Sequence, residues 1–161
     1  MTTLSAGDRT HLHRCVELAE AALVAGDDPF GSVLVDAHGT VLFEDRNREI
    51  TGGDATLHPE FEIARWAAGH LTAEERRQST VYTSGEHCPM CSSAHAWVGL
   101  GRIVYATSTA QLTAWRRDLG YPPGPVVAAP ITAIAPGVEV AGPDPELAPA
   151  VRALHERRAR N

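Results

Sequence analysis

Residues 54–71 read DATLHPEFEIARWAAGHL, and this stretch contains a helix whose start is marked by a proline. Its apolar residues recur at the spacing of one helix face. Pro59 suits the first helical turn, because the N–H at that position has no partner within the helix. His58 precedes the proline and Glu60 follows it. A side chain that can bind metal therefore stands at the start of a helix, beside a carboxylate.

The rest of the chain divides into alternating helices and strands. Helices are predicted over residues 8–25, 59–70, 89–100, 109–120 and 145–159, and strands over residues 30–36, 40–47, 79–84, 102–108 and 131–134. The first two strands are joined by AHG, which suits a tight hairpin, and the later strands alternate with helices. This order predicts an α/β fold, a three-layer α/β/α sandwich around a mixed five-stranded sheet.

Length and composition limit the class of protein. The 161 residues are enough for a single domain over residues 1–161 with its own core. No apolar run approaches the roughly 20 residues of a membrane-spanning helix, and residues 1–15 contain no apolar segment of signal-peptide type. We therefore expect a cytoplasmic protein with no membrane partner. The net charge of −6 argues against a nucleic-acid partner, because phosphate contacts need clustered Lys and Arg.

Three side chains have the chemical character of zinc ligands. Cys88 and Cys91 form a CxxC motif at the start of a predicted helix, where the helix dipole favours the thiolate. There is no second CxxC, which excludes a closed Cys₄ site within one chain. His58 is the best third ligand, because it also lies at a predicted helix N-terminus. Three protein ligands leave one position open, which distinguishes catalytic from structural zinc. A redox pair remains the alternative for the CxxC motif alone, and a capping role the alternative for His58 alone.

The combination of HPE (58–60) and EHCPMC (86–91) resembles the cytidine-deaminase superfamily of zinc-dependent deaminases, whose signature is H-x-E…P-C-x-x-C. DPFGSVLVD (28–36), EDRNRE (44–49) and DATLHPE (54–60) are similar to further segments of guanine deaminases and bacterial tRNA adenosine deaminases. The CPMC sequence places the chain nearest the guanine-deaminase-like branch. The resemblance covers most of the chain and implies a cytidine-deaminase-like fold.

The resemblance also implies a role for each matched residue. His58, Cys88 and Cys91 would bind Zn²⁺, with a water in the open position, and Glu60 would move protons as general acid and base. The partner would be a small-molecule heterocyclic base, and the protein would be a homodimer. Substrate contacts are predicted for six further residues: Asn47, Pro59, Glu86, His87, Phe30 and Trp115.

Two residues depart from the family pattern. His87 stands where the relatives have proline, and it is either a solvated loop residue or a group that reads the substrate or relays protons. Pro59 stands where they have alanine, whose N–H donates to the base in many relatives. Because proline has no N–H, a buried acceptor there would be unpaired at a cost of about 1–3 kcal/mol. We therefore expect a different aminated ring, such as guanine, cytosine, isocytosine or an s-triazine, unless Pro59 only orders the helix.

Two other functions compete with deamination of a free base. Deamination of tRNA adenosine is one, and the acidic balance and Pro59 argue against it. The other is an inactive, zinc-stabilised interaction protein, and Glu60 argues against this because a structural site has no use for it. The sequence assigns no role to His95, which is either a partner of the metal site or a packed helix residue, or to Asp118.

Overall fold

The computed structural model describes residues 3–161, and within them a five-stranded mixed sheet has the strand order β2-β1-β3-β4-β5. The strands are β1 (Gly31–Val35), β2 (Val41–Arg46), β3 (Thr80–Gly85), β4 (Arg102–Thr107) and β5 (Val140–Ala141). The central strand pair, β1 and β3, is antiparallel, as is the hairpin of β1 and β2, whereas β3, β4 and β5 run parallel. The predicted mixed sheet is confirmed.

Helices cover both faces of this sheet. They are α1 (Ala6–Ala25), α2 (Pro59–His70), α3 (Ala73–Gln78), α4 (Pro89–Val98), α5 (Thr109–Asp118), α6 (Ile131–Ile134) and α7 (Ala148–Ala159). One face packs against α1 and α7, and α5 contacts α7. The other face packs against α2, which contacts α4. This arrangement confirms the predicted three-layer sandwich. Among residues 3–161, no helix has the length and apolar character that a membrane crossing requires.

Strand β1 supplies both layers of the core, because its side chains alternate between the two faces of the sheet. Val33 and Val35 join the cluster around Leu12 of α1, whereas Leu34 joins the cluster around Ile63 of α2. Every residue of β1 is buried as a result. A polar residue on this strand must therefore have a partner inside the protein.

The strand predicted over residues 131–134 is wrong, because these residues form the helical turn α6 and the edge strand is β5. The run is apolar because Ile131 is fully buried, and a short apolar run does not distinguish strand from helix. The Ile131 N–H donates to the Glu86 carboxylate at 2.8 Å, and the Ala135 N–H donates to the Ile131 carbonyl at 2.7 Å. The distant Glu86 thus helps to fix this turn.

Helix α3 was missed, although its sequence carries a start signal. Thr72 accepts from the Glu75 N–H, and the Glu75 side chain accepts from the Thr72 N–H, which together form a capping box. The other predicted helices and strands are present, and their ends differ from the prediction by a few residues.

Candidate active site

The two segments that carry the predicted zinc ligands begin their helices in the same way. His58 is the N-cap of α2 with Pro59 as the next residue, and Cys88 is the N-cap of α4 with Pro89 next. A residue before proline is restricted to extended backbone, and φ/ψ are −84°/138° for His58 and −66°/167° for Cys88. Proline thus helps to fix the backbone of both residues. Because α2 packs against α4, the two helix starts lie together.

The side chains of His58, Cys88 and Cys91 converge, with their possible ligand atoms within 4.8 Å of one another. His58 Nδ1 lies 3.6 Å from the sulfur of each cysteine. Tetrahedral zinc with Zn–S of about 2.3 Å and Zn–N of about 2.0–2.1 Å separates a nitrogen and a sulfur ligand by about 3.6 Å. The trio therefore fits three ligands of a tetrahedral zinc ion, and among residues 3–161 no fourth protein ligand joins it.

The charge of the trio also suits a divalent metal. A hydrogen bond from the Cys91 thiol, opposed by burial and assisted by His58, lowers the pKa of Cys88 to about 4. The position of Cys88 at the positive end of α4 favours the same ionised form. The hydrogen bond to Cys88 and burial raise the pKa of the Cys91 thiol, so zinc would have to displace the proton of Cys91 on binding. Two thiolates and a neutral imidazole would then neutralise Zn²⁺, which suits an uncharged heterocycle better than a phosphate-rich substrate.

Glu60 lies beside the trio, and only one of its two carboxylate oxygens accepts hydrogen bonds from hydroxyl groups. Its Oε1 accepts hydrogen bonds from the hydroxyls of Ser32 and Thr83, each at 2.8 Å, while its Oε2 lies 3.7 Å from the sulfur of Cys91. Glu60 is 6% exposed, and this burial raises its pKa. A carboxyl with a raised pKa holds a proton more readily than an exposed carboxyl, which suits a group that both takes up and gives back a proton. One oxygen is thus anchored by two hydroxyls, and the other faces the sulfur of Cys91.

Ser32 and Thr83 are site residues that the sequence interpretation missed. They are direct partners across β1 and β3, both are fully buried, and their hydroxyls lie 2.9 Å apart. The available signal was a polar residue within a predicted strand, Ser32 in residues 30–36 and Thr83 among several polar residues in 79–84, and both prove to be buried. Such a residue needs an internal hydrogen-bond partner, and here the partner is Glu60.

Glu49 is a second missed residue, and it contacts the far side of the His58 ring. Its Oε1 lies 3.3 Å from His58 Nε2, and its Oε2 accepts from the Asn47 side-chain amide at 2.7 Å. Burial opposes ionisation of Glu49, but the hydrogen bonds from His58 and Asn47 outweigh it and lower its pKa. A carboxylate on the second ring nitrogen presents the first nitrogen to a metal in one tautomer.

Replacing Glu49 by glutamine is expected to weaken zinc binding by roughly 10- to 100-fold, because the negative partner of His58 is lost. Competition with a zinc chelator measures this affinity. The matched control is Glu44→Gln, which removes a carboxylate paired with Arg14 at the surface. Equal zinc affinities for the Glu49 variant, the control and the unmodified protein would contradict a role for Glu49 in holding His58.

Asn47 and Phe30, both predicted substrate contacts, are hydrogen-bonded to each other through the backbone. Asn47 is 1% exposed, and its backbone N–H donates to the Phe30 carbonyl at 3.0 Å. A Cβ on Gly85 would lie 3.2 Å from the Phe30 ring, and the Gly85 carbonyl accepts from the hydroxyl of Thr83 at 2.9 Å. The structure thus links Phe30, through Gly85, to one of the two residues that hold Glu60. Contact of Asn47 or Phe30 with a substrate stays a prediction.

Glu86 and His87 have their own internal environments. The Glu86 carboxylate accepts from the backbone N–H groups of Thr109 at 2.7 Å and Ile131 at 2.8 Å.

His87 is 1% exposed, so the interpretation as a solvated loop residue is wrong. Its ring lies 5.3 Å from that of His95, and neither ring nitrogen has a partner among residues 3–161. Contact of Glu86 or His87 with a substrate stays a prediction.

His95 and Trp115 are placed by helix packing. His95 is buried and its Nε2 lies 2.8 Å from the Gly101 carbonyl, which agrees with a packed helix residue. Trp115 packs against the core from α5, with its ring centroid 6.4 Å from that of His155. A cleft of about 530 Å³ beside α5 is lined by Glu86 and Arg117, but by neither the trio nor Glu60.

A mixed sheet that presents His-x-Glu and Cys-x-x-Cys at the starts of two packed helices defines the class of zinc-dependent deaminases. The chain belongs to the cytidine and deoxycytidylate deaminase family, because the model of that family's zinc-binding region matches residues 5–107. Its members are hydrolases that act on C–N bonds. The predicted family and enzyme class are confirmed.

Several known proteins are similar to this chain. It is 34% identical over 113 residues to a probable cytosine deaminase of Schizosaccharomyces pombe, 38% over 98 residues to a guanine deaminase of Bacillus subtilis, and 32% over 101 residues to a tRNA-specific adenosine deaminase of Haemophilus influenzae. The alignments cover 69%, 60% and 63% of this chain, and 67%, 62% and 58% of the relatives. The chain thus spans about two thirds or less of the length of these curated relatives.

A solved structure of guanine deaminase from Nitrosomonas europaea shares the fold. It superposes with a TM-score of 0.72 over 99% of this chain and 88% of that chain, at 22% sequence identity. At this identity the likeness is evidence for the fold alone. It extends through the C-terminal helices, which lie beyond the region matched by the family model.

Proposed function

We propose that this protein releases ammonia by hydrolysis from a free nucleobase or a related small aminated heterocycle of guanine, cytosine, isocytosine or s-triazine type. The observation that carries the proposal is the position of Glu60, with one oxygen anchored and the other facing a three-ligand zinc site. A purely structural zinc site is closed by four protein ligands and has no need of a buried carboxylate beside it.

Each residue of the site has its own role in the proposed reaction. His58, Cys88 and Cys91 would hold Zn²⁺, and the bound ion would supply an activated water at neutral pH. Glu60 Oε2 accepts a proton from the attacking water and passes it to a ring nitrogen of the base. A C–O bond forms at the carbon that bears the amine. Glu60 then assists protonation of the amine, the C–N bond breaks, and ammonia leaves. Ser32 and Thr83 keep the carboxylate in place throughout.

Asn47 and two aromatic residues are proposed to hold the base. One N–H of the Asn47 amide donates to Glu49, so its second N–H remains for the edge of a heterocycle. Phe30 and Trp115 would supply the apolar walls of the pocket. Pro59 is buried between His58 and Glu60 and offers no N–H there. We therefore propose a base that is recognised without a donor at that position.

Replacing Pro59 by alanine restores one N–H to the site and is expected to change the preference between bases. A donor to a buried acceptor is worth about 1–3 kcal/mol, so kcat/KM ratios between bases should shift by roughly 5- to 150-fold. Pro149→Ala, in the exposed first turn of α7, restores a helical N–H away from the site and serves as the control. Unchanged ratios across a panel of bases in the Pro59 variant would leave this proline with a structural role only.

A tRNA adenosine substrate is the second candidate, because one similar protein is a tRNA-specific adenosine deaminase. The net charge of −6 counts against it, since binding to phosphates requires clustered positive charge. Titration with tRNA at increasing salt separates the two candidates. Binding that weakens steeply with salt would favour tRNA, whereas no measurable binding is the result we expect.

We further propose a cytoplasmic homodimer. The three cysteines are free and two of them belong to the metal trio, which suits a reducing compartment. Trp97 of α4 is 89% exposed, and large aromatic residues with this exposure are enriched at protein interfaces. Light scattering at micromolar concentration tests the assembly. A mass of one chain would contradict the homodimer.

The function itself is tested by a screen for ammonia release. The zinc-loaded protein is incubated with free bases, nucleosides and amino-s-triazines, and Glu60→Ala serves as the blank. We expect ammonia from at least one free base, and little from the nucleosides. Ammonia from adenosine in tRNA but from no free base would replace this proposal with the second candidate.

A further inference from the structure

Asp27 is a fully buried carboxylate in the turn between α1 and β1, and the sequence interpretation gave it no role. Its backbone N–H donates to the Ala22 carbonyl at 2.9 Å, which fixes the turn to the end of α1. Burying a charged carboxylate is costly unless hydrogen-bond donors surround it. The donors that surround Asp27 therefore indicate which part of the protein it holds in place.

The partners of Asp27 lie on both sides of the segment formed by residues 47–49. Its Oδ1 accepts from the backbone N–H groups of Ile50 at 3.0 Å and Thr51 at 2.8 Å. Its Oδ2 accepts from the Thr51 hydroxyl at 2.7 Å and from the Arg46 guanidinium at 3.2 Å. Burial opposes ionisation of Asp27, but these hydrogen bonds outweigh it and lower its pKa. A charged carboxylate thus holds both ends of the segment.

The segment held by Asp27 carries the residue that contacts the far side of the His58 ring. Glu49 Oε1 lies 3.3 Å from His58 Nε2, and its Oε2 accepts from the Asn47 amide at 2.7 Å. The Glu49 backbone N–H donates to the Asn47 side-chain oxygen at 3.0 Å, so these two residues form one hydrogen-bonded unit. Arg46 donates to the Asn47 carbonyl at 3.3 Å as well as to Asp27. Asp27 is therefore connected to this unit from both directions.

We propose that Asp27 is a positioning residue for the zinc site and acts through Glu49 on His58. Within residues 3–161 it makes no hydrogen bond to the metal trio, so its effect has to pass through the segment that it holds. The assignment rests on the zinc site of the proposed function. It adds the turn before β1 to the parts of the chain that set the affinity for the metal.

Replacing Asp27 by asparagine tests the proposal with little change in side-chain shape. The remaining oxygen can still accept from the backbone N–H groups of Ile50 and Thr51. The amide nitrogen that replaces the other oxygen donates and cannot accept from Arg46. One end of the segment is thus released while the other stays held.

The matched control is Asp144→Asn, since Asp144 is equally buried and has the same kind of partners elsewhere in the fold. Its Oδ2 accepts from Arg9 at 2.9 Å, and its Oδ1 accepts from two backbone N–H groups just before α7, at 2.7 and 3.3 Å. Both variants should lower the melting temperature, so a general loss of stability is common to the two proteins.

We expect Asp27→Asn to weaken zinc binding by roughly 5- to 30-fold in competition with a chelator, whereas Asp144→Asn should keep the affinity of the unmodified protein. Bound Co²⁺ reports on the same site, because its visible absorption depends on the geometry of the ligands. The Co²⁺ spectrum should change in Asp27→Asn and stay unchanged in Asp144→Asn.

A double variant separates action through Glu49 from an independent effect of Asp27. If Asp27 acts through Glu49, adding Asp27→Asn to Glu49→Gln should lower zinc affinity by no more than about two-fold further. The full loss in both backgrounds would overturn the assignment, as would an unchanged zinc affinity in Asp27→Asn or an equal loss in Asp144→Asn.

These measurements do not depend on catalysis, so the assignment and the proposed function can fail separately. An unmodified protein that binds zinc but releases no ammonia would refute the proposed function, and the zinc affinities would still decide the role of Asp27. An unmodified protein that binds no zinc would overturn both.

Discussion

Replacing Glu60 by glutamine is expected to lower kcat by about 10²- to 10⁴-fold, the range attributed to a positioned general acid and base. Glutamine keeps an oxygen that can accept from Ser32 and Thr83, so the fold and the zinc content should stay unchanged. Its amide cannot take a proton from water, and this loss should appear in kcat rather than in KM. Steady-state ammonia release together with metal analysis measures both quantities.

The matched control for this variant is Glu62→Gln, two residues further along the first turn of α2. Glu62 lies 3.8 Å from Arg65 and takes no part in the trio or its supports. It should retain the activity of the unmodified protein within a few-fold. Ammonia release by Glu60→Gln at a rate close to that of this control would refute the role given to Glu60.

Replacing Cys91 by serine is expected to abolish zinc binding at working concentrations. Loss of a residue that only supports a metal ligand costs roughly 10- to 100-fold in affinity, so loss of one of three protein ligands should cost more than about 100-fold. Cys91 is fully buried, and its sulfur lies 3.6 Å from His58 Nδ1, so the shorter serine side chain with its neutral hydroxyl would be a poor substitute at this position. Activity should fall to the level of the Glu60 variant.

Thermal unfolding provides a second measurement of this loss. Zinc at a thousand-fold excess over its dissociation constant stabilises a folded protein by about 4 kcal/mol, so it should raise the melting temperature of the unmodified chain. The rise should disappear in Cys91→Ser. Cys15→Ala changes the remaining cysteine, which is buried in α1 away from the site, and it should keep the rise. A normal zinc response in Cys91→Ser would exclude this cysteine as a ligand.

The sequence predicted the parts of this protein that depend on local pattern. The helix starts at Pro59 and Pro89 follow from the fixed φ of proline, and the same two prolines mark where His58 and Cys88 lie. The order of helices and strands predicted the mixed sheet, which in turn brings the two helix starts together. The three residues of the metal trio could therefore be predicted from the sequence.

The parts that were missed depend on contacts between distant residues. Glu49 reaches His58 only because the loop after β2 folds back, and Ser32 meets Thr83 only through the register of β1 and β3. Residues 131–134 were predicted as a strand because the run is short and apolar, and the Glu86 carboxylate that fixes this turn is 45 residues away. The spacing of apolar residues along the sequence does not report which distant side chains meet.

Pro59 has two separate consequences, one for the backbone and one for the chemistry of the site. It begins α2 and restricts His58 to an extended conformation, and both effects are visible in the backbone. It also removes a donor between His58, the proposed metal ligand, and Glu60, the proposed catalytic carboxylate. The structural effect holds for any substrate, whereas the missing donor bears on which base the site accepts.

The central claim is hydrolysis at an aminated ring carbon, and water labelled with heavy oxygen tests it most directly. The zinc-loaded protein is given its best base in labelled water, and the product is weighed by mass spectrometry. The account predicts one labelled oxygen in each product molecule, released with one molecule of ammonia, and neither from Glu60→Gln. Unlabelled product, or labelled product that forms equally with Glu60→Gln, would contradict it.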